Sequence, residues 1–165
     1  MKILGIDPGT AVTGYGLIED GAQPRALGYG GIRTPAGIPE ADRLLRIYAQ
    51  VDELIRGTCP DVLAVERVFF NKNASSALAV GQARGVVLLA AAQAGVPVFE
   101  PTPLEVKLAV TGEGRAGKRQ VGYMVRVLLG LESRPQPDDA ADALAVALTC
   151  ARTLTTRRRW GEAGG

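Results

Sequence analysis

Apolar and polar positions follow several patterns along this chain, and each predicts a different kind of element. Met1 to Asp7 (Met-Lys-Ile-Leu-Gly-Ile-Asp) and Asp61 to Glu66 (Asp-Val-Leu-Ala-Val-Glu) are runs of β-favouring apolar residues without polar alternation, each closed by an acid. That is the pattern of strands buried on both faces. Val12 to Glu19 and Arg25 to Arg33 read as antiparallel strands joined by a turn through Asp20 and Gly21, and Val96 to Phe99 as a short further strand. Pro39 to Arg56 has the helical period instead: Leu44, Ile47, Tyr48, Val51, Leu54 and Ile55 form one apolar stripe. Helices are also predicted near Pro103 to Val110, Lys118 to Leu129 and Asp138 to Leu154, the last an Ala-rich run opening just after Pro137.

Asn73 to Gly95 fits neither simple pattern, because Ala77, Leu78, Val80, Val86, Val87, Leu88 and Leu89 leave few polar positions on a helix. A helix apolar nearly all round needs two partners. One is the sheet of its own domain. The second is read as the same helix of another copy, with Ala74, Ala77, Gly81 and Gly85 permitting close approach in an isologous two-fold contact. A helix sandwiched inside the monomer is the alternative.

The acids that close the two strands give the pattern a chemical meaning. In open α/β sheets ligands gather beyond the carboxyl ends of parallel strands, where Asp7 and Glu66 would lie side by side if their strands were neighbours. Asp139 and Asp142, three residues apart, project from one helix face, and the alanines around them let that face approach a sheet closely. Asp138 is read as the N-cap of that helix. Singly, each acid has an ordinary explanation: turn chemistry for Asp7, a salt-bridge partner for Glu66, helix-dipole stabilisation for Asp139 and Asp142. Together, carboxylates at contact distance raise one another's pKa unless a counter-ion intervenes. An oxygen-only site suits Mg²⁺ or Mn²⁺, and a chain with no histidine and two cysteines argues against zinc.

Composition bounds the rest. At 165 residues and 47% hydrophobic content the chain reads as one domain over residues 1–155, followed by a basic tail over 156–165, expected to be flexible. No apolar stretch is read as a membrane span, the acid and proline at Asp7 and Pro8 come too early for a signal-peptide core, and a cytoplasmic location is expected. Cys59 and Cys150 imply no disulfide framework, and Cys150 is read as a buried free thiol. The net charge is only +2, but Lys107, Arg115, Lys118 and Arg119 cluster around the glycine-rich link Thr111 to Gly117, and phosphate binding depends on where cations lie rather than on their sum. The tail, Arg152 to Trp160, is either a DNA-binding extension or a solvated terminus. Phe69 and Phe70 point opposite ways in an extended segment, so either one enters the core while the other is free to stack on a base, or both rings cap the core.

Leu4-Gly-Ile-Asp-Pro-Gly-Thr10, Val12-Thr-Gly-Tyr-Gly16, Glu66-Arg-Val-Phe69 with Asn71-Lys-Asn73, Gly81-Gln-Ala-Arg-Gly85 and Asp139-Ala-Ala-Asp-Ala-Leu144 occur in this order. Their succession resembles the motifs of the RuvC family of Holliday-junction resolvases, from about Lys2 to about Ala151. The resemblance implies an α/β, RNase H-like fold, with a mixed five-stranded sheet flanked by helices. It implies an endonuclease that nicks four-way DNA junctions symmetrically as a homodimer, in recombination and repair, beside a RuvA and RuvB branch-migration complex. It makes Asp7, Glu66, Asp139 and Asp142 the metal-binding catalytic acids, places Lys107 and Lys118 on the DNA side of the cleft, and selects Phe69 for base stacking. Arg67 stands where the family pattern has glutamine. The mechanism expected is two divalent ions about 4 Å apart, one activating water and one stabilising the departing 3′ oxygen, leaving a 5′-phosphate and a 3′-hydroxyl. Three other readings remain at this stage: a junction-binding protein that does not cut, an RNase H-like nuclease on RNA or other branched DNA, and an actin-like nucleotide-binding fold, which would need a second domain.

Overall fold

The computed structural model describes residues 1–68 and 74–162. Five strands and five helices alternate as β1 (Lys2–Asp7), β2 (Val12–Glu19), β3 (Arg25–Arg33), α1 (Glu40–Thr58), β4 (Val62–Val65), α2 (Ala74–Gln93), β5 (Val98–Phe99), α3 (Pro103–Thr111), α4 (Lys118–Leu128) and α5 (Asp138–Glu162). The sheet order is β3-β2-β1-β4-β5. β1 pairs antiparallel with β2 and parallel with β4, and β4 pairs parallel with β5, giving the mixed five-stranded sheet of an RNase H-like fold.

The unbroken apolar runs are explained by helices on both faces. In β1, Ile3 packs with Val106 and Val110 of α3, Val121 and Val125 of α4, and Leu144 to Leu148 of α5. Its neighbours Leu4 and Ile6 face the other way, into a second core with Ile47, Val51 and Ile55 of α1 and Ala83, Val87, Ala90 and Ala91 of α2. Burying one such aliphatic side chain is worth about 1.5–3 kcal/mol, so a polar residue on either face would be costly. The α1 stripe divides as its position demands: Ile47, Val51 and Ile55 are buried, while Leu44, Tyr48 and Leu54 lie at its margins.

Three readings of the sequence are corrected. α5 does not end at Leu154 but continues to Glu162, taking in the first residues of the segment assigned to a tail; the arginines of that basic stretch are themselves good helix formers. Asp138 stands inside the first turn of α5 rather than before it, and its carboxylate pairs with Arg134 at 3.1 Å. The third concerns α2, where Ser75–Gln93 is long and apolar enough to cross a membrane by length and composition, although no such stretch was expected. Alanines, glycines and one charged residue produce that composition. Its buried face lies on the sheet, while Leu78 and Leu89 are 63% and 50% exposed, so α2 is not sandwiched within the monomer.

Candidate active site

The register of β1 and β4 decides where the acids go. Gly5 is opposite Ala64 and Ile6 opposite Val65, so one step further Asp7 comes beside Glu66, at the carboxyl edge of two neighbouring parallel strands. Strand alternation places Asp7 on the same face as Ile3 and Gly5, which is the face covered by α5. On β2, Gly14 pairs with Asp7 and Gly16 with Gly5. A Cβ on Gly14 would overlap the Asp139 carbonyl, and one on Gly5 the Ala143 carbonyl. The glycines are therefore the seat that lets α5 lie against the sheet and bring its acids to the strand ends. Thr13, buried on the strand just before Gly14, donates to the Gly9 carbonyl at 2.7 Å and closes the turn after Asp7.

Asp7, Glu66 and Asp142 line one cleft of about 260 Å³ together with Lys107, Lys118, Pro103, Val106, Val121 and Ala145. Asp139, one turn before Asp142, lies near enough to Asp7 to raise its proton affinity. Burial is the largest cause of that rise, followed by Asp142 and Asp139, and it pushes the Asp7 carboxyl up to about 7 against the partial relief given by Lys118. Burial also holds Glu66 above its ordinary value, with Asp142 adding to the effect and Lys107 and Lys118 opposing it. Lys118 Nζ donates to the Asp142 carboxylate at 2.9 Å, and this bond raises the affinity of the ammonium for its proton.

The two lysines reach the cleft from different helices. α3 is started by a capping box, in which the Glu105 N–H donates to Thr102 Oγ1 at 3.2 Å and the Thr102 N–H to the Glu105 carboxylate at 2.6 Å; this fixes the turn that carries Lys107. Lys118 opens α4 after the glycine-rich link. Arg115 and Arg119 are exposed on the link and the first turn of α4 and do not line the cleft. Phe69, Phe70 and Asn71 to Asn73 fall outside the described residues.

Three features escaped the sequence reading. The capping box was legible in Thr102 and Glu105, three residues apart before an apolar run. The glycine seat was legible in part, since Gly14 and Gly16 share a face at the strand period. The third is Arg84, a lone charge within α2, whose Nε donates to the Glu66 carbonyl at 3.2 Å and whose guanidinium pairs with Glu100.

In this ligand-free arrangement, no three Asp, Glu, Cys or His side chains among the described residues form a ready-made metal site. The chemistry of the donors nevertheless fits a hard divalent cation: they are carboxylates only and mutually repelling, and burial together with that repulsion raises the Asp7 carboxyl to about 7. A cation in the cleft would favour the charged carboxylate and so oppose the raised Asp7 proton affinity.

A family model for the crossover junction endodeoxyribonuclease RuvC matches residues 3–150. A crossover junction endodeoxyribonuclease RuvC from Moorella thermoacetica is 61% identical over 166 residues, covering 100% of this chain and 99% of that protein. The structure of Thermus thermophilus RuvC superposes with a TM-score of 0.86 at 40% identity, over 94% of this chain and 97% of that one. A second structure, of T. thermophilus RuvC in complex with a Holliday junction substrate, gives a TM-score of 0.85 at 43% identity over 90% and 92% of the two chains.

Proposed function

The chain belongs to the RuvC family of crossover junction endodeoxyribonucleases, and from that premise we propose that it resolves four-way DNA junctions at the Asp7–Glu66–Asp142 cleft, with Asp139 as the fourth acid and Mg²⁺ as the working ion. The observation that carries this reading is the meeting of three carboxylates and two lysines, from β1, β4 and its exit, α3, α4 and α5, around one cavity at the carboxyl edge of the sheet. The family is one of metal-dependent nucleases. Asp7, Glu66, Asp139 and Asp142 would hold the ion, which would supply water activation and charge neutralisation at the phosphodiester.

The protein's own groups do the remaining work. Asp7 and Glu66, held by adjacent strands, present oxygens whose spacing the sheet register fixes. Lys107 and Lys118 offer ammonium groups to a backbone phosphate, and Lys118 must exchange its bond to Asp142 for one to the DNA. Pro103, Val106, Val121 and Ala145 form an apolar wall that limits water around the reacting phosphate. Hydrolysis in this way leaves a 5′-phosphate and a 3′-hydroxyl and passes through no covalent enzyme intermediate. Arg115 and Arg119 extend the positive rim along which the DNA backbone runs, and Phe69, beyond Glu66 in the sequence, is the ring assigned to base stacking.

A four-way junction is two-fold symmetric and needs two nicks, so the enzyme is read as a homodimer joined through α2. Support comes from Leu78 and Leu89, exposed on that helix, and from Gly81 and Gly85. Glycine within a helix costs about 0.5–1 kcal/mol relative to alanine, yet among the described residues nothing lies within 4 Å of a Cβ at either position. Their small size is of use to a second chain rather than to this one. The RuvA and RuvB branch-migration complex is the partner machinery consistent with the family.

The test is cleavage of an end-labelled synthetic four-way junction by wild type and Asp7→Asn, in Mg²⁺, Mn²⁺ or EDTA, beside linear duplex and RNA–DNA hybrid. Paired metal-dependent nicks confined to the junction, lost in the variant while binding persists, are expected. Tight binding without cutting in any metal, or preference for the hybrid, would overturn the reading.

A further inference from the structure

The peptide between Glu66 and Arg67 is gripped from both sides. Its carbonyl accepts from Arg84 Nε at 3.2 Å, and its N–H, that of Arg67, donates to the Pro101 carbonyl at 2.9 Å. Arg84 is itself steered by Glu100, with which its terminal nitrogen is ion-paired. The Arg84 side chain is only 18% exposed, between the buried Ala83 and Val87 on α2, and the Glu100 side chain is 37% exposed. Arg84 is also the single charged residue in Ala74–Gln93.

A fold needs no charge at such a position. A mostly buried ion pair is often no more stabilising than an apolar replacement of similar volume, because desolvation offsets the attraction. What an arginine does provide is direction, since its planar fork can hold two acceptors in a fixed relation. Here those acceptors are the Glu100 carboxylate, just beyond β5, and the Glu66 carbonyl, just beyond β4. β4 ends at Val65, so ladder hydrogen bonding no longer fixes the Glu66 backbone. A change in the Glu66 backbone φ would carry this carbonyl with it and swing the Glu66 side chain relative to Asp7.

We propose that Arg84, steered by Glu100, is a positioning residue for junction cleavage: by clamping the Glu66 carbonyl it fixes the direction in which the Glu66 carboxylate enters the cleft. The assignment rests on the cleavage reading given above. Arg84 touches neither DNA nor ion and acts through Glu66 alone.

The experiment compares Arg84→Met, Arg84→Lys, Glu100→Gln and Glu66→Gln in the full-length protein. Three quantities are read: junction affinity by gel shift in EDTA, single-turnover cleavage rate across a Mg²⁺ titration, and thermal melting. Misplacing a reacting group by about 1 Å can cost roughly 100-fold in rate, so Arg84→Met is expected to lose roughly 10- to 100-fold in cleavage rate. Its Mg²⁺ midpoint rises, junction affinity stays within about threefold, and melting remains cooperative. Arg84→Lys recovers part of the rate, and Glu100→Gln, which keeps an acceptor, loses less than Arg84→Met. Wild-type cleavage by a folded Arg84→Met would overturn the proposal, as would losses in Arg84→Met and Arg84→Lys that merely follow their loss of melting temperature. Wild-type cleavage by Glu66→Gln would instead remove the role of Glu66 on which the proposal rests.

Discussion

α2 and α5 are both rich in alanine and both nearly free of polar residues in their central turns, yet the molecule treats them in opposite ways. From Ala140 to Ala151 every α5 residue except Asp142 is buried, Thr149 among them. α2 buries Ala83, Val87, Ala90 and Ala91 and leaves Leu78, Gly81, Gly85 and Leu89 exposed. The difference lies in what faces them. The sheet presents glycines to α5, so the helix can sink until its backbone touches β1 and β2. None of the described residues covers the outer side of α2 at Leu78 and Leu89. Apolar content states that a helix must be covered, and only the surface opposite states whether the covering is internal.

The largest effect should come from spoiling the α5 seat. Gly14→Val places side-chain atoms where the Asp139 carbonyl stands and is expected to cost about 3 kcal/mol or more in urea unfolding, with loss of junction cleavage. Gly85→Ala on α2 meets nothing in the monomer, and there the helix should gain about 0.5–1 kcal/mol. If both substitutions were equally damaging, the contrast between the two helices would be wrong.

Seating acids beside Asp7 also has a pH signature. The folded value of about 7 lies above the ordinary 3.8, so in the absence of metal the folded protein holds this proton more tightly than the unfolded chain. Stability through this group is therefore highest below about pH 4 and falls as the pH rises toward 7. Asp7→Asn removes the fall: in EDTA at pH 8 it should be more stable than wild type by about 2–4 kcal/mol, with the gap closing below about pH 4. Added Mg²⁺ should raise the melting temperature of wild type more than that of the variant, because the ion binds the folded state. A difference that does not vary with pH would remove electrostatic crowding as its cause.

The smallest effect on the monomer belongs to the open face of α2. Leu89→Lys changes a residue already 50% exposed and should alter monomer stability by no more than about 0.5 kcal/mol. In light scattering, however, it should shift the protein from dimer to monomer. Persistence of a dimer would place the contact on another surface.

Much of this was written in single residues. Unbroken apolar runs ending in Asp7 and Glu66 announced two buried strands, and Asp139 and Asp142 announced a helix face, because strand and helix periods are local properties of the chain. The RNase H-like sheet followed from motif order. What stayed hidden depends on partners distant in sequence: the Lys118–Asp142 bond, the hold of Arg84 on Glu66 across 18 residues, and Gly5 as a seat for Ala143. The end of α5 was missed for a different reason, since charge at its C-terminal end resembled a solvated tail while helix propensity ran on.

The cleft draws on the first strand, the middle of the chain and the last helix, so Asp7 waits for Asp142 through most of synthesis. Domains fold as units during synthesis, and long-range contacts are the slowest to form. A nascent chain stalled before α5 would therefore carry Asp7 and Glu66 without the helix that completes their site. On the four-acid assignment proposed above, sequence order would keep a partly made copy from cutting DNA.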